Sequence, residues 1–293
     1  MAVNCSHGAM EWRMLQDGPA DGAWNMAVDE AIARAVGDGV APATLRLYTW
    51  SASTLSLGYL QKTPGAVDLA ACRERGIAVV RRVTGGRAVL HAAELTYSVA
   101  VPLEGAWRSL SVGETFALFC RGLIAGLAHL GVAAEVGEGD TAPAGASEAG
   151  TRQAGTRQAG TRQAGTRETG ACFLLRRMPA ILVGGRKLIG SAQRRWDRSL
   201  LQHGSLLLDF DPHLHQALFP AWSRADPTAG ITCLRALLGR LPTTGELMSA
   251  MAAGWGDVFG RPCVAGDLGP EEERAATALA DTRYRSAAWT FQR

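Results

Sequence analysis

Two short stretches of this 293-residue chain place glycines directly beside cationic side chains. The first covers residues 81–91 and reads Arg-Arg-Val-Thr-Gly-Gly-Arg-Ala-Val-Leu-His. The second covers residues 185–193 and reads Gly-Arg-Lys-Leu-Ile-Gly-Ser-Ala-Gln. Glycine lets the backbone approach a ligand closely, and Arg or Lys polarises a carbonyl oxygen. Both stretches are therefore candidates for binding and activating a carbonyl-containing substrate.

The first stretch has features that an ordinary turn does not need. A Gly-Gly pair alone is typical of a hairpin corner. Here Arg81, Arg82 and Arg87 crowd a segment that also has an apolar strand pattern, and such cations need anionic or carbonyl partners. No Gly-Lys-Ser/Thr sequence follows, which excludes a phosphate loop. We therefore interpret the segment as part of a binding site.

Cys172 is the candidate nucleophile. Its neighbours include four basic residues that favour the reactive thiolate, namely Arg176, Arg177, Arg186 and Lys187. The other cysteines are expected to be small core residues: Cys5, Cys72, Cys120, Cys233 and Cys263. Because the six are scattered without a C-x-x-C pair, we expect free thiols in a reducing compartment, with no disulfide framework and no metal site.

Taken together, these motifs resemble the superfamily of lipoate–protein ligases, biotin–protein ligases and octanoyltransferases. A third motif, which contains Gln202-His203-Gly204, follows the other two, and the resemblance extends from residue 12 to residue 289. The chain is similar in particular to the Gram-positive-type octanoyltransferases, which carry an acyl-accepting cysteine at the position of Cys172. One departure is Ala92 after His91, where the family usually has aspartate.

The resemblance implies roles for individual residues. Cys172 would carry the acyl group as a thioester, and Lys187 would lower the pKa of this thiol and hold the developing oxyanion. The implied substrate-binding residues are Arg82, Gly85, Gly86, Arg87, His91, Gly190 and Ser191. His203 is expected to be a structural histidine. The implied reaction needs no metal and no cofactor.

The surrounding sequence predicts an α+β fold with mixed β-sheets flanked by helices, and the resemblance implies the catalytic-domain fold of biotin and lipoate ligases. Apolar residues at helical spacing predict helices over residues 21–37, 67–75 and 112–130. Extended patterns predict strands over residues 44–49, 54–59, 77–82, 95–101, 180–183, 187–193 and 199–208. The interleaved but hairpin-rich order favours α+β over a doubly wound sheet.

Residues 137–170 interrupt this pattern. They contain almost no large apolar side chains and repeat Gly-Thr-Arg-Gln-Ala three times in succession, followed by an altered copy. This composition cannot offset its ordering entropy by burial, so we expect a disordered loop insertion. We assign residues 1–260, including the loop, to one acyltransferase domain and residues 261–293 to a small C-terminal extension.

Charge and hydropathy exclude several classes of protein. The net charge of +3, from 30 basic and 27 acidic residues, is too balanced for a protein that binds nucleic acid through its electric field. Four arginines and one glutamate in residues 150–170 account for this whole excess. The sequence has neither a leader-like N-terminus nor an apolar stretch of membrane-spanning length. We expect a soluble, cytoplasmic monomer.

The resemblance implies octanoyl transfer without ATP. The octanoyl group would pass from the thioester of acyl carrier protein to Cys172, and then to a lysine of a lipoyl domain such as the glycine-cleavage H protein. Three alternatives stay open. An ATP-dependent lipoate–protein ligase would normally have a third glycine at the position of Arg87, and it would not need Cys172. An amidotransferase between lipoyl domains would also use the cysteine, whereas an inactive module that binds acyl carrier protein would need neither Cys172 nor Lys187.

Overall fold

A computed structural model describes residues 11–63, 65–137, 180–220 and 230–293. Within these ranges the chain has the α+β architecture that the sequence predicts. The predicted loop insertion at residues 137–170, apart from Gly137, lies outside the described residues, and so does Cys172. No helix of the described part is long and apolar enough to cross a membrane.

Strands and helices alternate irregularly along the described chain. The strands are β1 (Arg13–Ala20), β2 (Thr44–Trp50), β3 (Thr54–Leu57), β4 (Ala78–Arg81), β5 (Val89–His91), β6 (Glu94–Pro102), β7 (Glu135–Gly137), β8 (Ala180–Val183), β9 (Arg186–Arg195), β10 (Ser199–Leu207) and β11 (Val264–Ala265). The helices are α1 (Gly22–Gly37), α2 (Leu69–Glu74), α3 (Gly105–Ser109), α4 (Val112–His129), α5 (Pro212–Leu218), α6 (Leu234–Leu238), α7 (Thr244–Phe259), α8 (Pro270–Leu279) and α9 (Ala287–Thr290). A π-helical turn, Ala280–Tyr284, follows α8.

The described strands form two mixed sheets. The larger has eight strands in the order β11-β1-β2-β6-β10-β9-β8-β7. Its β11, β1 and β2 run parallel to one another, and the remaining pairs are antiparallel. The smaller sheet has the order β4-β3-β5, with β3 parallel to β4 and antiparallel to β5.

One face of the large sheet is covered by α4 and α7. Leu200 and Leu206 of β10 point to this side and pack in one cluster with Leu123 of α4 and Trp255 of α7. Each of the two helices begins with a capping box, from Ser111 to Glu114 and from Thr243 to Glu246. These caps satisfy backbone N–H groups that the first turn of a helix leaves without partners.

The opposite face carries the small sheet and α1. Leu201 and Leu207 alternate with the helix-side residues of β10, and Leu207 packs with Leu55 of β3 and Leu90 of β5. Because both sheets present apolar strand faces to each other, a slot forms between them. Four of the nine residues that the sequence identifies as site candidates line this slot.

The C-terminal residues join the same core. The two-residue strand β11 pairs with β1 at the edge of the large sheet. Farther on, the Tyr284 hydroxyl donates to Glu30 of α1 at 2.5 Å, and Arg283 donates to the same carboxylate at 2.6 Å. The domain boundary at residue 260 stays a prediction.

Candidate active site

A cavity with about 400 Å³ of empty space lies between the two sheets. Its walls include Ser56 of β3 and His91 of β5 on one side, and His203 and Ser205 of β10 on the other. Four of the predicted substrate-binding residues line it: Arg82, His91, Gly190 and Ser191. The sequence analysis did not identify several further wall residues, including Tyr48, Ser56, Thr96 and Ser205.

Arg82 is buried in the wall and organises the turn that follows it. Its guanidinium donates to the backbone carbonyls of Ser56, Gly85 and Arg87 at 3.0, 2.8 and 2.7 Å. It also donates to the hydroxyls of Ser56 and Thr84 at 3.0 and 3.2 Å. These bonds satisfy a buried cation with carbonyl and hydroxyl oxygens, as the residue types require.

The glycine turn lies beside the cavity rather than in its wall. Gly85 and Gly86 are exposed, and Gly86 has a φ of 93°, which favours glycine. The loop after β3 approaches this turn so closely that a Cβ on Gly58 would lie 1.9 Å from the Gly86 carbonyl oxygen. Gly85, Gly86 and Arg87 are not among the residues that line the cavity in the described part. Arg82 therefore holds a turn whose glycine backbone is open to a ligand.

His91 is fixed by stacking and by hydrogen bonds at both ring nitrogens. Its ring stacks on Trp50 with centroids 4.0 Å apart. Nε2 lies 2.8 Å from the Ser56 hydroxyl, and Nδ1 lies 2.7 Å from Oε1 of Glu94. The same carboxylate oxygen accepts from Thr96 at 2.6 Å and from Ser205 at 2.9 Å. The histidine thus connects a buried carboxylate to a hydroxyl in the cavity wall.

His203 makes a matching connection on the other wall. Its Nδ1 lies 2.9 Å from Oδ2 of Asp29, and its Nε2 lies 2.6 Å from the Thr84 hydroxyl. Asp29 also accepts from Arg46 at 2.8 Å and from the Tyr48 hydroxyl at 2.9 Å. The position of His203 in this network agrees with its expected structural role.

Burial and charge determine the protonation of this pair. Burial raises the pKa of Asp29, but the hydrogen bond from His203 and the charge of Arg46 outweigh burial and hold that pKa below its ordinary value. Burial lowers the pKa of His203, and the opposing effect of Asp29 is smaller. At neutral pH the ring is therefore neutral, donating Nδ1–H to Asp29 and accepting the Thr84 hydroxyl proton at Nε2.

Lys187 lies near the start of β9 and is only 7% exposed. Its backbone N–H donates to the Gly230 carbonyl at 2.9 Å, and its carbonyl accepts from the Thr232 N–H at 3.0 Å. Lys187 is not one of the described wall residues of the cavity. Its distance to Cys172 is not defined, because Cys172 lies outside the described residues.

A β-bulge determines which face of the sheet Lys187 occupies. Ile181 of β8 pairs with Ile189 of β9, but Leu182 pairs with Lys187, so Leu188 is an extra residue. Leu188 and Ile189 both pack in the cluster on the helix side. Strict alternation would place Lys187 on that side as well, whereas the bulge places it on the face of the slot.

Gly190 and Ser191 lie farther along β9, opposite β10. Ser191 accepts a hydrogen bond from the Tyr97 hydroxyl at 2.6 Å, and Gln202 donates to that tyrosine oxygen at 3.0 Å. The absent side chain of Gly190 leaves this part of the wall open. The structure therefore brings Arg82, His91, Gly190 and Ser191 around one cavity, with Lys187 on the same face of the large sheet.

Comparison with known proteins assigns this arrangement to a family. Residues 21–256 match the family model of the lipoyl protein ligase A/B catalytic domain. The chain belongs to this family. It is 39% identical to the octanoyltransferase LipM of Symbiobacterium thermophilum over 96% of this chain and 98% of that protein. It is 36% identical to the octanoyltransferase LipM of Kyrpidia tusciae over 96% of this chain and 99% of that protein.

Solved structures of the family share the fold. A lipoate-protein ligase A bound with ATP matches with a TM-score of 0.73 and 22% identity, over 96% of this chain and 99% of that one. A bipartite lipoate protein ligase of Thermoplasma acidophilum, from a study of this ligase and its E2 lipoyl domain, matches with a TM-score of 0.71 and 22% identity, over 96% of both chains. The predicted family, fold class and octanoyltransferase activity are confirmed, and this activity makes the chain an acyltransferase enzyme.

Proposed function

We propose that this member of the lipoyl protein ligase A/B family takes its octanoyl group from acyl carrier protein and passes it to a lipoyl domain through a Cys172 thioester. The relatives that match nearly end to end are octanoyltransferases, which supports the choice of acyl group. The cavity between the two sheets is lined by four of the predicted substrate-binding residues, which supports its use as the acyl site. The scattered cysteines favour a reducing compartment, so the proposal places the enzyme in the cytoplasm.

The first step forms the acyl-enzyme. The Cys172 thiolate attacks the octanoyl thioester, a new sulfur–carbon bond forms, and the thiol of the carrier protein leaves. Lys187 stabilises the thiolate before attack and the oxyanion during it. The exposed backbone of Gly85 and Gly86, held in place by Arg82, offers further N–H donors to this oxyanion.

The second step transfers the octanoyl group to nitrogen. The ε-amine of a lipoyl-domain lysine attacks the thioester, a carbon–nitrogen bond forms, and the Cys172 thiolate leaves and takes up the proton of the amine. An amide is more stable than a thioester, so neither step requires ATP. The glycine-cleavage H protein is the proposed acceptor.

The mass of the intact protein tests this sequence of steps. Wild-type protein mixed with octanoyl-acyl carrier protein, without ATP, is expected to gain one octanoyl group, which the H protein then removes. Cys172→Ala and Cys172→Ser should show neither the added mass nor octanoylation of the H protein, because only a thiolate is both a good nucleophile and a good leaving group here. If Cys172→Ala retained about a tenth of the activity, which is a loss of only about 1.4 kcal/mol in barrier, the covalent mechanism would be wrong.

Two further mixtures separate the proposal from the open alternatives. In the first mixture, free octanoate and ATP replace the carrier thioester. Only a ligase would form product from them, so the expected result is no product. An octanoylated lipoyl domain as the donor would support only an amidotransferase. Product that formed from either donor, but never from the carrier thioester, would contradict the proposed donor.

A further inference from the structure

Arg81 is a buried arginine that the site described above does not include. It ends β4, and its side chain is enclosed by protein. Its guanidinium donates to the carbonyls of Gly58 and Gln61 at 2.6 and 2.8 Å, both in the loop of residues 58–63 that follows β3. It also donates to the Thr290 carbonyl of α9 at 2.9 Å. Because a buried guanidinium requires such oxygens, Arg81 fixes the loop and α9 relative to each other.

The C-terminal residues hold the same arginine through a second set of contacts. Trp289 of α9 donates its ring N–H to the Arg81 carbonyl at 2.8 Å, and its ring centroid lies 5.8 Å from that of Tyr59. The Thr63 hydroxyl accepts from Arg81 at 3.3 Å and donates to the backbone oxygen of Arg293 at 2.9 Å. The C-terminal segment is therefore attached both to β4 and to the loop that Arg81 binds.

The loop that Arg81 binds also touches the glycine turn. The Tyr59 N–H donates to the Thr84 carbonyl at 2.8 Å. Next to Tyr59, Gly58 approaches the Gly86 carbonyl so closely that a side chain would not fit between them. Since loop and turn meet backbone to backbone, a displacement of the loop displaces the turn.

Two adjacent arginines thus support the turn by different routes. Successive residues of an extended chain point to opposite sides, so Arg81 and Arg82 reach different partners. Arg82 binds the Gly85 and Arg87 carbonyls of the turn itself. Arg81 binds the loop that packs against the turn, together with the C-terminal segment.

We propose that Arg81 is a positioning residue for acyl transfer. Together with Trp289, it holds the loop of residues 58–63 against the glycine turn and so keeps the N–H groups of the turn in place. Oxyanion donors are effective only when their positions are fixed before the reaction. The inference rests on the proposed use of the Gly85 and Gly86 N–H groups in the first step. It makes the C-terminal segment a support of the active site, with no substrate contact by Arg81 itself.

Hydrogen exchange measures the proposed support without any substrate. The Tyr59 amide reports the contact of the loop with the turn, because its N–H is bonded to Thr84. Arg81→Lys keeps a cation but loses the planar fork of donors, whereas Trp289→Phe keeps an aromatic ring but loses the ring N–H. Both variants are expected to speed exchange of the Tyr59 amide by about tenfold, relative to amides of the central strand β6.

Steady-state kinetics measures the consequence for acyl transfer. Oxyanion donors act in the transition state, so both variants are expected to lower kcat by about tenfold. KM for octanoyl-acyl carrier protein should stay within about twofold of the wild-type value, because the donor is not bound by Arg81. A raised KM with kcat retained would assign Arg81 to donor binding and overturn its assignment as a positioning residue.

The control is Gly254→Ala, which disturbs the fold at the crossing of α4 and α7. A Cβ at this position would lie 1.9 Å from the backbone nitrogen of Gly126. This variant should lower the melting temperature but keep the wild-type ratio of Tyr59 exchange to β6 exchange, and it should keep kcat. It therefore separates a local effect on the turn from a general loss of stability.

The two measurements distinguish failure of this inference from failure of the proposed function. An unchanged exchange ratio in both variants, or the same change in Gly254→Ala, would overturn the link between Arg81 and the turn. If the wild-type protein never gained the octanoyl mass, the proposed function would fail, and the role of Arg81 in acyl transfer with it. The exchange ratio would still show whether Arg81 holds the turn.

Discussion

Single side chains in the site follow one repeated arrangement, in which a histidine joins a carboxylate to a hydroxyl. His91 joins Glu94 to Ser56, and His203 joins Asp29 to Thr84. Both hydroxyls also accept from Arg82. The guanidinium is thus connected, through two hydroxyls and two imidazole rings, to two buried carboxylates, Asp29 of α1 and Glu94 of β6. Removing one member leaves a buried polar group unpaired, which typically costs about 1–3 kcal/mol.

A residue-scale prediction concerns Lys187. Lys187→Ala is expected to raise the pH at which Cys172 is alkylated by about one unit or more, because a nearby cation favours the thiolate. The measurement is the rate of iodoacetamide labelling against pH, with Cys172→Ala as the background. Lys187→Arg should restore the labelling profile but not octanoyl transfer, because guanidinium is planar and bulkier than ammonium. An unchanged profile in Lys187→Ala would mean that Lys187 acts elsewhere, for example in binding alone.

Helices and strands were predicted well where the apolar periodicity of their own residues is regular. The predicted helix at residues 112–130 is found as Val112–His129, and the predicted strand at 180–183 is found with the same bounds. Strand β1 was missed, because Asp17, Gly18 and Pro19 interrupt its apolar alternation. The bulge at Leu188 could not be predicted either, because a register shift depends on the partner strand.

An element-scale prediction concerns the crossing of α4 and α7. A Cβ on Gly254 would lie 1.9 Å from the backbone nitrogen of Gly126, so any side chain there pushes the helices apart. Gly254→Ala is expected to cost about 1–3 kcal/mol of unfolding free energy. The matched control is Gly245→Ala in the same helix, where a Cβ meets nothing within 4 Å. Thermal unfolding of both variants checks this, and equal melting temperatures would contradict the close crossing.

At the scale of the whole molecule, the site lies in the slot between two sheets that come from distant parts of the chain. The small sheet uses residues 54–91, whereas the facing strands β9 and β10 lie beyond residue 185. The C-terminal end contacts the same region, because Trp289 donates to the Arg81 carbonyl at 2.8 Å. The geometry of the site therefore depends on the complete fold.

A whole-molecule prediction concerns charge. The arginine repeats carry the net positive charge of the chain and precede Cys172, and acyl carrier proteins are acidic. Deleting residues 150–164 is expected to raise KM for octanoyl-acyl carrier protein at low ionic strength, with little change in kcat, because the attraction is electrostatic and is screened by salt. Steady-state kinetics across a salt series compare the deletion with the parent. Overlapping KM curves at every salt concentration would make the repeats a passive insertion.

The sequence alone determined the family, the α+β class and four residues of the cavity wall, because these depend on motifs and local periodicity. It did not identify Ser56, Thr96, Ser205 or Glu94, which are ordinary residues of β-strands until two sheets face each other. Strand alternation alone would place Lys187 on the helix side of the large sheet. The bulge that moves Lys187 to the slot face exists only in the pairing of β8 with β9, so the sequence does not show it. The sequence also does not show which buried polar atoms have hydrogen-bond partners. Only the tertiary structure shows this, because a hydrogen bond and its absence both depend on what packs against the group.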